Sequence, residues 1–521
     1  MESRVVLTID CGTQSVRAML FDQHGKLLGK AKRAFQSYYS PQPDWAEQDA
    51  ELYWDKLCQA TQALKADKPM LFEKIEAVAL TTQRDTAVFI DKTGKPLRPA
   101  IIWMDQRKLD HHLPFNRTQA MALRISGMTE TAIGFSRNCP AHWIQIHEPE
   151  RWSSTHKVLM LSGYLLFRLS GRLVDSNASQ AGKVPFNHKK RQWEPSFSIK
   201  GQIFQIPKEK LPELVDPGSK LGEITPQAAD MTGIPVNLPI IATASDKACE
   251  TIGVGCKNDQ VASISLGSQA SIQTTTSRYF EPLRFIPPFA AMMPQSFNPE
   301  IQIYKGYWMI SWFHKEFAQK EEKEALVLGI PPEELLNERL STVPAGSDGL
   351  ILQPLWGAGL KRPEARGSII GFNDLHTRIH IYRAIIEGIG YALLEGAEQI
   401  EKKLGHKFEA FAISGGGSQS DAICQISANL MNRPVYRVQT YETSGLGAAI
   451  AAYVGMGCYE SFEAAIDAMS HPKDWFHPDP KEAKLYKKIY QQVYRNMYKQ
   501  VKPLYKELRN IIKEGEHESS V

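Results

Sequence analysis

Short apolar runs that break sharply into small polar residues recur along this chain, and each break is a place for chemistry. The first run, residues 5–9 (Val-Val-Leu-Thr-Ile), has the β-branched, apolar make-up of a buried strand. It ends in Asp10, Cys11, Gly12, Thr13, Gln14 and Ser15. Residues 16–22 and 27–31 are two more such runs around a Gly-containing turn, so the chain is expected to open as three antiparallel strands. After Trp45 the period becomes helical, with Leu52, Leu57 and Leu64 on one side. Residues 77–81 form another strand that runs into Gln83, Arg84 and Asp85, followed by a hairpin over 88–97. Residues 100–107 pass again from apolar to polar, through Trp103 to Asp105 and Arg107. Residues 143–148 and 159–169 read as helices, and the Pro- and Gly-punctuated stretch 208–239 as a cover over the edge of a first domain.

The second half repeats the theme. An apolar strand leads to Asp246 and a helix-friendly run closed by glycines. Residues 260–274 read strand, Gly-Ser loop, strand, and Leu-Gly-Ser-Gln-Ala-Ser at 266–271 echoes Asp-Cys-Gly-Thr-Gln-Ser at 10–15. Two such turns roughly 250 residues apart suggest an internal duplication, although a repeated turn without function has the same appearance. Residues 408–414 form a strand that ends in Gly415, Gly416 and Gly417, with a helix from about Asp421. Residues 442–450 make a small-residue helix suited to close packing. From residue 480, Leu485, Ile489, Val493, Met497 and Val501 repeat every four, with Tyr486, Tyr490, Tyr494 and Tyr498 beside them, the pattern of a helix docking one broad face. Residues 513–521 are polar and expected to fray.

Composition narrows the classes. With 521 residues and 43% hydrophobic content the chain can build two domains of ordinary size. A net charge of +4 gives no argument for nucleic acid or an anionic membrane, and no apolar run approaches membrane-spanning length. Residues 1–4 lead straight into a strand, so no cleavable signal is expected, and the seven scattered cysteines fit reduced thiols in a cytoplasmic protein. Cys11 reads as a small loop residue. No Gly-x-x-x-x-Gly-Lys-(Ser/Thr) run occurs, which argues against a P-loop kinase.

The polar breaks offer specific chemistry, each beside a plainer reading. Gly12 allows backbone N–H groups to approach an anion, and Thr13 and Ser15 add hydroxyl donors. Asp10 suits Mg²⁺, which prefers one or two carboxylates plus phosphate oxygens. A polar hairpin turn would show the same residues. Arg84 and Asp85, directly after a strand, suit a polyhydroxylated ligand, one donating and the other accepting; a surface ion pair is the alternative. Trp103 can lie against a carbon skeleton or simply be core. Asp246 at a helix start can take a proton from a hydroxyl or serve as a helix cap.

Taken together, the motifs at 9–15, 245–248, 367–372, 380–388 and 415–418 resemble the FGGY family of carbohydrate kinases over practically the whole chain. The resemblance implies an α/β protein of two ribonuclease-H-like (actin-like ATPase) domains, an internal duplication with a ligand cleft between the halves, divided here at 1–250 and 251–521. It implies ATP and Mg²⁺, with Asp10 organising the metal. Gly12, Thr13, Gln14, Ser15 and Arg17 would meet the phosphates from one domain and Gly267 and Ser268 from the other, with Gly415, Gly416 and Gly417 on the adenosine side. It implies Asp246 as general base, and Gln83, Arg84, Asp85, Trp103 and Lys247 around the sugar or polyol.

Gln83-Arg84-Asp85 is similar to the Gln-Arg-Glu of glycerol kinases, but Asp85 is one methylene shorter and Lys247 stands where a Gln usually follows the base. The family's usual Lys falls at Pro140, and Asn429 stands where an Asp is common. These departures favour an acceptor somewhat larger than glycerol, a ketose such as a pentulose, with glycerol second. A catalytically silent sugar- and ATP-binding sensor of the same fold is the alternative of another class. A homodimer is compatible with the sequence.

Overall fold

The computed structural model describes residues 4–357, 362 and 364–518. Numbering only the strands of the two main sheets, the first sheet holds β1 (Val5–Cys11), β2 (Ser15–Asp22), β3 (Leu27–Ala34), β4 (Ile75–Thr82), β5 (Lys220–Glu223) and β6 (Pro239–Ile241), in the order β5-β6-β4-β1-β2-β3. The three opening strands are antiparallel, as expected, with Val5 opposite Asp22 and Ser15 opposite Ala34. β4 runs parallel to β1, and β6 parallel to β4. Cys11 belongs to β1 and is fully buried, so it is a strand residue and not a loop residue. Side chains of β1 alternate between two cores. Val5, Leu7 and Ile9 pack with helix α1 (Ala50–Asp67), while Val6 joins a core formed with residues 443–455.

Two expectations change in this region. The stretch 208–239 does not merely cover the sheet edge: it supplies edge strand β5 and a helix, Pro226–Thr232, capped by the Thr225 hydroxyl. Residues 157–160 are a strand, and the helix begins only at Leu161. Val158, Leu159 and Met160 are buried on both sides because they pair antiparallel with Ala87–Ile90, in a smaller sheet with Glu47–Gln48 and Ala100–Ile101. A continuous apolar run does not separate a buried strand from a buried helix by period alone.

The second sheet repeats the topology of the first. It holds β7 (Val261–Leu266), β8 (Ala270–Gln273), β9 (Glu300–Ile303), β10 (Ala410–Ser414), β11 (Val435–Val438) and β12 (Pro472–Phe476), in the order β9-β8-β7-β10-β11-β12. β7, β8 and β9 form an antiparallel meander, β10 and β11 add parallel to β7, and β12 closes the edge antiparallel. This is the duplication announced by the echoed turns.

The chain forms two compact units, each discontinuous in sequence. Residues 1–257, 275–298 and 442–471 make the first; residues 258–274, 299–441 and 472–521 make the second. In place of a single cut at 250/251 the first boundary falls at 257/258, and 275–298 and 442–471 return to the first unit, the latter because helix α5 (Thr443–Gly455) packs against the first sheet. Of the tail, residues up to Glu518 continue a helix, and 519–521 lie outside the described residues.

In the second unit the long helix α3 (Arg378–Leu404) and helix α4 (Asp421–Met431) accompany the sheet, and α6 (Pro480–Ile489) and α7 (Arg495–Glu518) follow it. The docking face of α6 and α7 is made mainly by the tyrosine row. Leu485 and Val493 are exposed, whereas Tyr486, Tyr490, Tyr494 and Met497 are buried. One π-helical turn, Tyr490–Tyr494, keeps tyrosines four residues apart on the same face. Their hydroxyls find acceptors on α3: Tyr486 donates to Glu387 and Tyr490 to Glu398. A buried phenol needs such a partner, and α3 supplies it.

The tightest packing in the first unit lies between α2 (Asp246–Gly253) and α5. Gly447 has no room for a side chain, since a Cβ there would stand 1.9 Å from the Cys249 carbonyl oxygen. Gly447→Ala must therefore push the two helices apart and is expected to destabilise the fold by about 1–3 kcal/mol. Denaturant unfolding of the full chain checks this; an unchanged midpoint would contradict the packing.

Candidate active site

The carboxyl ends of the parallel strands β1, β4 and β6 lie side by side, which is where α/β sheets place ligands. Asp10, near the end of β1, faces Arg17 across the ladder, with Nη1 3.1 Å from Oδ2. The same guanidinium is 3.5 Å from Glu442, just before α5, and Lys30 also pairs with Glu442. Asp10 is buried, and that burial pushes its carboxyl up to about 6 against the pull of Arg17, with the charges of Asp246, Glu442 and Glu250 adding to the rise.

Several groups of the opening loop are engaged within the unit. The Gly12 N–H donates to the Ser15 carbonyl at 3.0 Å, closing the turn. The Thr13 hydroxyl donates to Gln83 Oε1 at 2.7 Å and accepts from Trp103 Nε1 at 3.1 Å. Gln83 in turn donates to the Tyr53 hydroxyl on α1 and is almost wholly buried. Thr13, Gln83 and Trp103 thus form one chain of hydrogen bonds that joins the ends of β1 and β4, with Gln14 exposed at the turn. Asp105 and Arg107 belong elsewhere, in a buried ion cluster with Glu47 and Arg98 beneath Trp45 and Trp143.

After β4, Arg84 and Asp85 are half-buried. The Arg84 guanidinium lies 4.6 Å from the centre of the Phe289 ring, a cation–π arrangement that orients it. Asp85 has a left-handed backbone (φ 50°) and its N–H donates to Ala181 O at 2.9 Å. Its Oδ1 accepts from the Lys183 N–H at 3.2 Å, and the Lys183 ammonium is 3.5 Å from Oδ2.

Asp246 is the first residue of α2, and Ser245 before it makes no side-chain cap. Its Oδ1 accepts from the Lys247 N–H at 2.8 Å, while the Lys247 ammonium pairs with Glu250 at 2.8 Å. Burial raises the Asp246 carboxyl; Arg84 and Lys247 pull it back, and Glu250 adds to the rise. A carboxylate in that balance is a stronger base than one in water. Sequence alone singled out Asp10, Arg84, Asp85 and Asp246, and the structure gathers them in one unit. It did not single out Phe289, Lys183, Glu250 or Glu442.

In the second unit, Gly267 and Ser268 form the turn between β7 and β8. Their carbonyls accept from the N–H groups of Tyr307 and Trp308 at 3.0 and 3.1 Å. The three glycines after β10 differ in role. A Cβ at Gly415 would meet the Leu266 backbone at 2.8 Å, and one at Gly417 would meet the Tyr307 ring at 2.4 Å. Only Gly416 faces open space. Two of the three therefore hold the β7 turn and the β10 loop together, and the third is bare backbone.

Among the described residues no group of three or more His, Cys, Asp or Glu could hold a metal ion. The acid-rich setting of Asp10 nevertheless fits Mg²⁺, which needs only one or two protein carboxylates beside phosphate and water. Among the described residues no helix is long and apolar enough to cross a membrane, and the seven cysteines are free thiols.

The N-terminal domain model of the FGGY family of carbohydrate kinases matches residues 5–253, and its C-terminal domain model matches residues 262–456. An uncharacterized sugar kinase of Escherichia coli, YgcE, is 30% identical over 93% of this chain and 92% of its own length. A xylulose kinase of Lactococcus lactis is 27% identical over 92% and 94% of the two chains, and proteins named glycerol kinase match at similar identity. The solved xylulose kinase of Rhodospirillum rubrum shares the fold, with a TM-score of 0.79 at 24% identity over 96% of this chain and all of that one. With family models covering most of its length and both halves built on one strand topology, the chain belongs to the FGGY family of carbohydrate kinases.

Proposed function

We propose that this kinase transfers the γ-phosphate of ATP to a hydroxyl of a small sugar or polyol, with Asp246 as general base. The observation that carries this is the raised Asp246 carboxyl at the start of α2, within electrostatic reach of Arg84, the charged residue at the end of the neighbouring parallel strand. Asp246 takes the proton from the acceptor hydroxyl; the oxygen forms its bond to phosphorus as the bond to the ADP oxygen breaks, and ADP leaves. Arg84 donates to acceptor oxygens and Asp85 accepts from its hydroxyls, with Trp103 and Lys247 completing the acceptor side and Gln83 fixing Trp103 through Thr13. Phosphoryl transfer depends mainly on positioning and charge stabilisation, which is what such a set provides.

Nucleotide contacts are proposed in each unit by itself. The turn Gly12, Thr13, Gln14 and Ser15 with Arg17 serves in the first; Gly267, Ser268 and the loop Gly415, Gly416 and Gly417 serve in the second, where Gly416 offers the open backbone. Asp10 would hold Mg²⁺, which supplies charge neutralisation to the phosphates when bound. A ketose such as a pentulose is the leading acceptor, supported by relatives named xylulose kinase and by the short Asp85 side chain. Glycerol is second, supported by relatives named glycerol kinase and by Gln83-Arg84.

A coupled ADP-release assay over ketopentoses, glycerol and gluconate, with a sugar-free control, tests the reading; ATP hydrolysis indifferent to every acceptor would defeat it. Asp246→Asn is expected to lower turnover by about 10²–10⁴-fold with nucleotide binding retained. Turnover within about tenfold of wild type removes Asp246 from the base role. Because the base must be charged, turnover falls as pH falls through its raised pKa. The acid limb of kcat against pH is therefore expected above the ordinary aspartate value of 3.8, and a flat profile down to that value would count against the assignment. Asp85→Asn is expected to raise the acceptor KM by about 10–100-fold with little change in the KM for ATP, and titration of both substrates separates the two.

A further inference from the structure

Residues 174–183 join the Asp85 loop to the segment that leads into Asp246. Val174–Ser176 is a short strand, followed by a single helical turn, Asn177–Ser179. Asp175 anchors it from inside. It is fully buried and accepts from Ser162 Oγ and Gln180 Nε2, both at 2.7 Å, and from the Ser176 N–H at 2.7 Å. On one side the Ser176 hydroxyl donates to Thr243 O at 2.5 Å, and the Ser245 N–H donates to Ala178 O at 3.3 Å. On the other side Ala181 O accepts from the Asp85 N–H, and the Lys183 N–H donates to Asp85 Oδ1. The segment is a strut, with one end on the residues just before Asp246 and the other on Asp85.

Gly182 sits where that strut touches Asp85. A Cβ there would stand 2.8 Å from Asp85 Oδ1 and 3.2 Å from its Cα. Gly182 does not have a left-handed backbone, so an alanine would bring a contact and not backbone strain. Asp85 cannot simply slide away, because its left-handed backbone is tied to Ala181. The added methyl must turn the carboxylate off the Lys183 N–H or shift the whole residue.

We propose that Gly182 and Lys183 are positioning residues that set which acceptors this kinase takes, by fixing where the Asp85 carboxylate stands. The inference rests on the reading that Arg84 and Asp85 hold the acceptor. Gly182 leaves the carboxylate its place, and Lys183 orients it from two atoms, its N–H on one oxygen and its ammonium beside the other. Neither touches the transferred phosphate in this account, so they govern acceptor choice and leave the nucleotide alone.

The test compares full-length wild type, Gly182→Ala, Lys183→Met and Asp85→Asn, measuring kcat and KM for D-xylulose, glycerol and ATP, together with the thermal midpoint. Gly182→Ala is expected to change the ratio of kcat/KM for D-xylulose over glycerol by about tenfold or more, with the KM for ATP within about twofold. Lys183→Met is expected to raise the acceptor KM by about three- to tenfold with kcat within about twofold. A purely structural role would lower the thermal midpoint and all activities together and leave the ratio unmoved. If both variants keep the wild-type ratio and acceptor KM while Asp85→Asn raises the acceptor KM, the inference is overturned and the acceptor reading stands. If Asp85→Asn leaves the acceptor KM unchanged, the reading falls and the inference with it. Should Gly182→Ala fail to fold, Lys183→Met, which replaces a partly buried ammonium by an apolar side chain of similar length and leaves the backbone N–H in place, decides alone.

Discussion

The parallel pairing of β1, β4 and β6 is the constraint on which the first unit depends. Parallel neighbours in one sheet end at the same edge, so three loops from distant parts of the sequence are delivered together. Asp10 near the end of β1, Arg84 with Asp85 just after β4, and Asp246 at the helix start that follows β6 are brought to that edge. The charges there are close to balance: Arg17, Arg84 and Lys247 face Asp10, Asp246, Glu250 and Glu442. Burial is what makes the balance chemically useful, since it lifts the pKa of both aspartates.

Two further devices keep that edge in register. The contact of α5 on α2 is close enough to need glycine, so the helix that begins with Asp246 has a hard backing. The segment 174–183 braces the Asp85 loop against residues 243–245 through backbone and buried polar bonds. Positioning by backbone suits a reaction in which placement of the hydroxyl and of charge does most of the work. In the second unit the same strand order is used with a different finish. There Gly415 and Gly417 are consumed by packing against Leu266 and Tyr307, and only Gly416 is left open.

Much of the fold was legible because strand-then-polar breaks are local signals. The runs before Asp10, Gln83, Asp246 and Gly415 were all readable, and so was the echo at 266–271. Other features were not, for physical reasons. Residues 157–160 fold as a strand because Ala87–Ile90 is there to pair with them, and pairing partners are not written in the run itself. On the C-terminal helix the repeat marks a docking face but does not rank its two rows; the tyrosines go inside because acidic acceptors on α3 meet their hydroxyls, which leucine or valine cannot use. The edge strand β5 hid among prolines and glycines, as edge strands can.

By itself the sequence determined the two-fold repeat, the residues that end each central strand, and through its motifs the family. Those depend on local patterning and on residue type, which no neighbour alters. Tertiary structure alone decided how those residues are engaged. Thr13, expected to meet phosphate, is tied to Gln83 and Trp103, and Asp85 is set by Gly182 and Lys183 from a stretch with no motif of its own. The pKa of Asp246 likewise comes from burial and from charges scattered along the chain. The opening turn is therefore what the sequence made it look like, a polar loop on a buried strand; its hydrogen-bond partners, which fix its geometry, are a property of the fold, because they lie about 70 to 90 residues away along the chain.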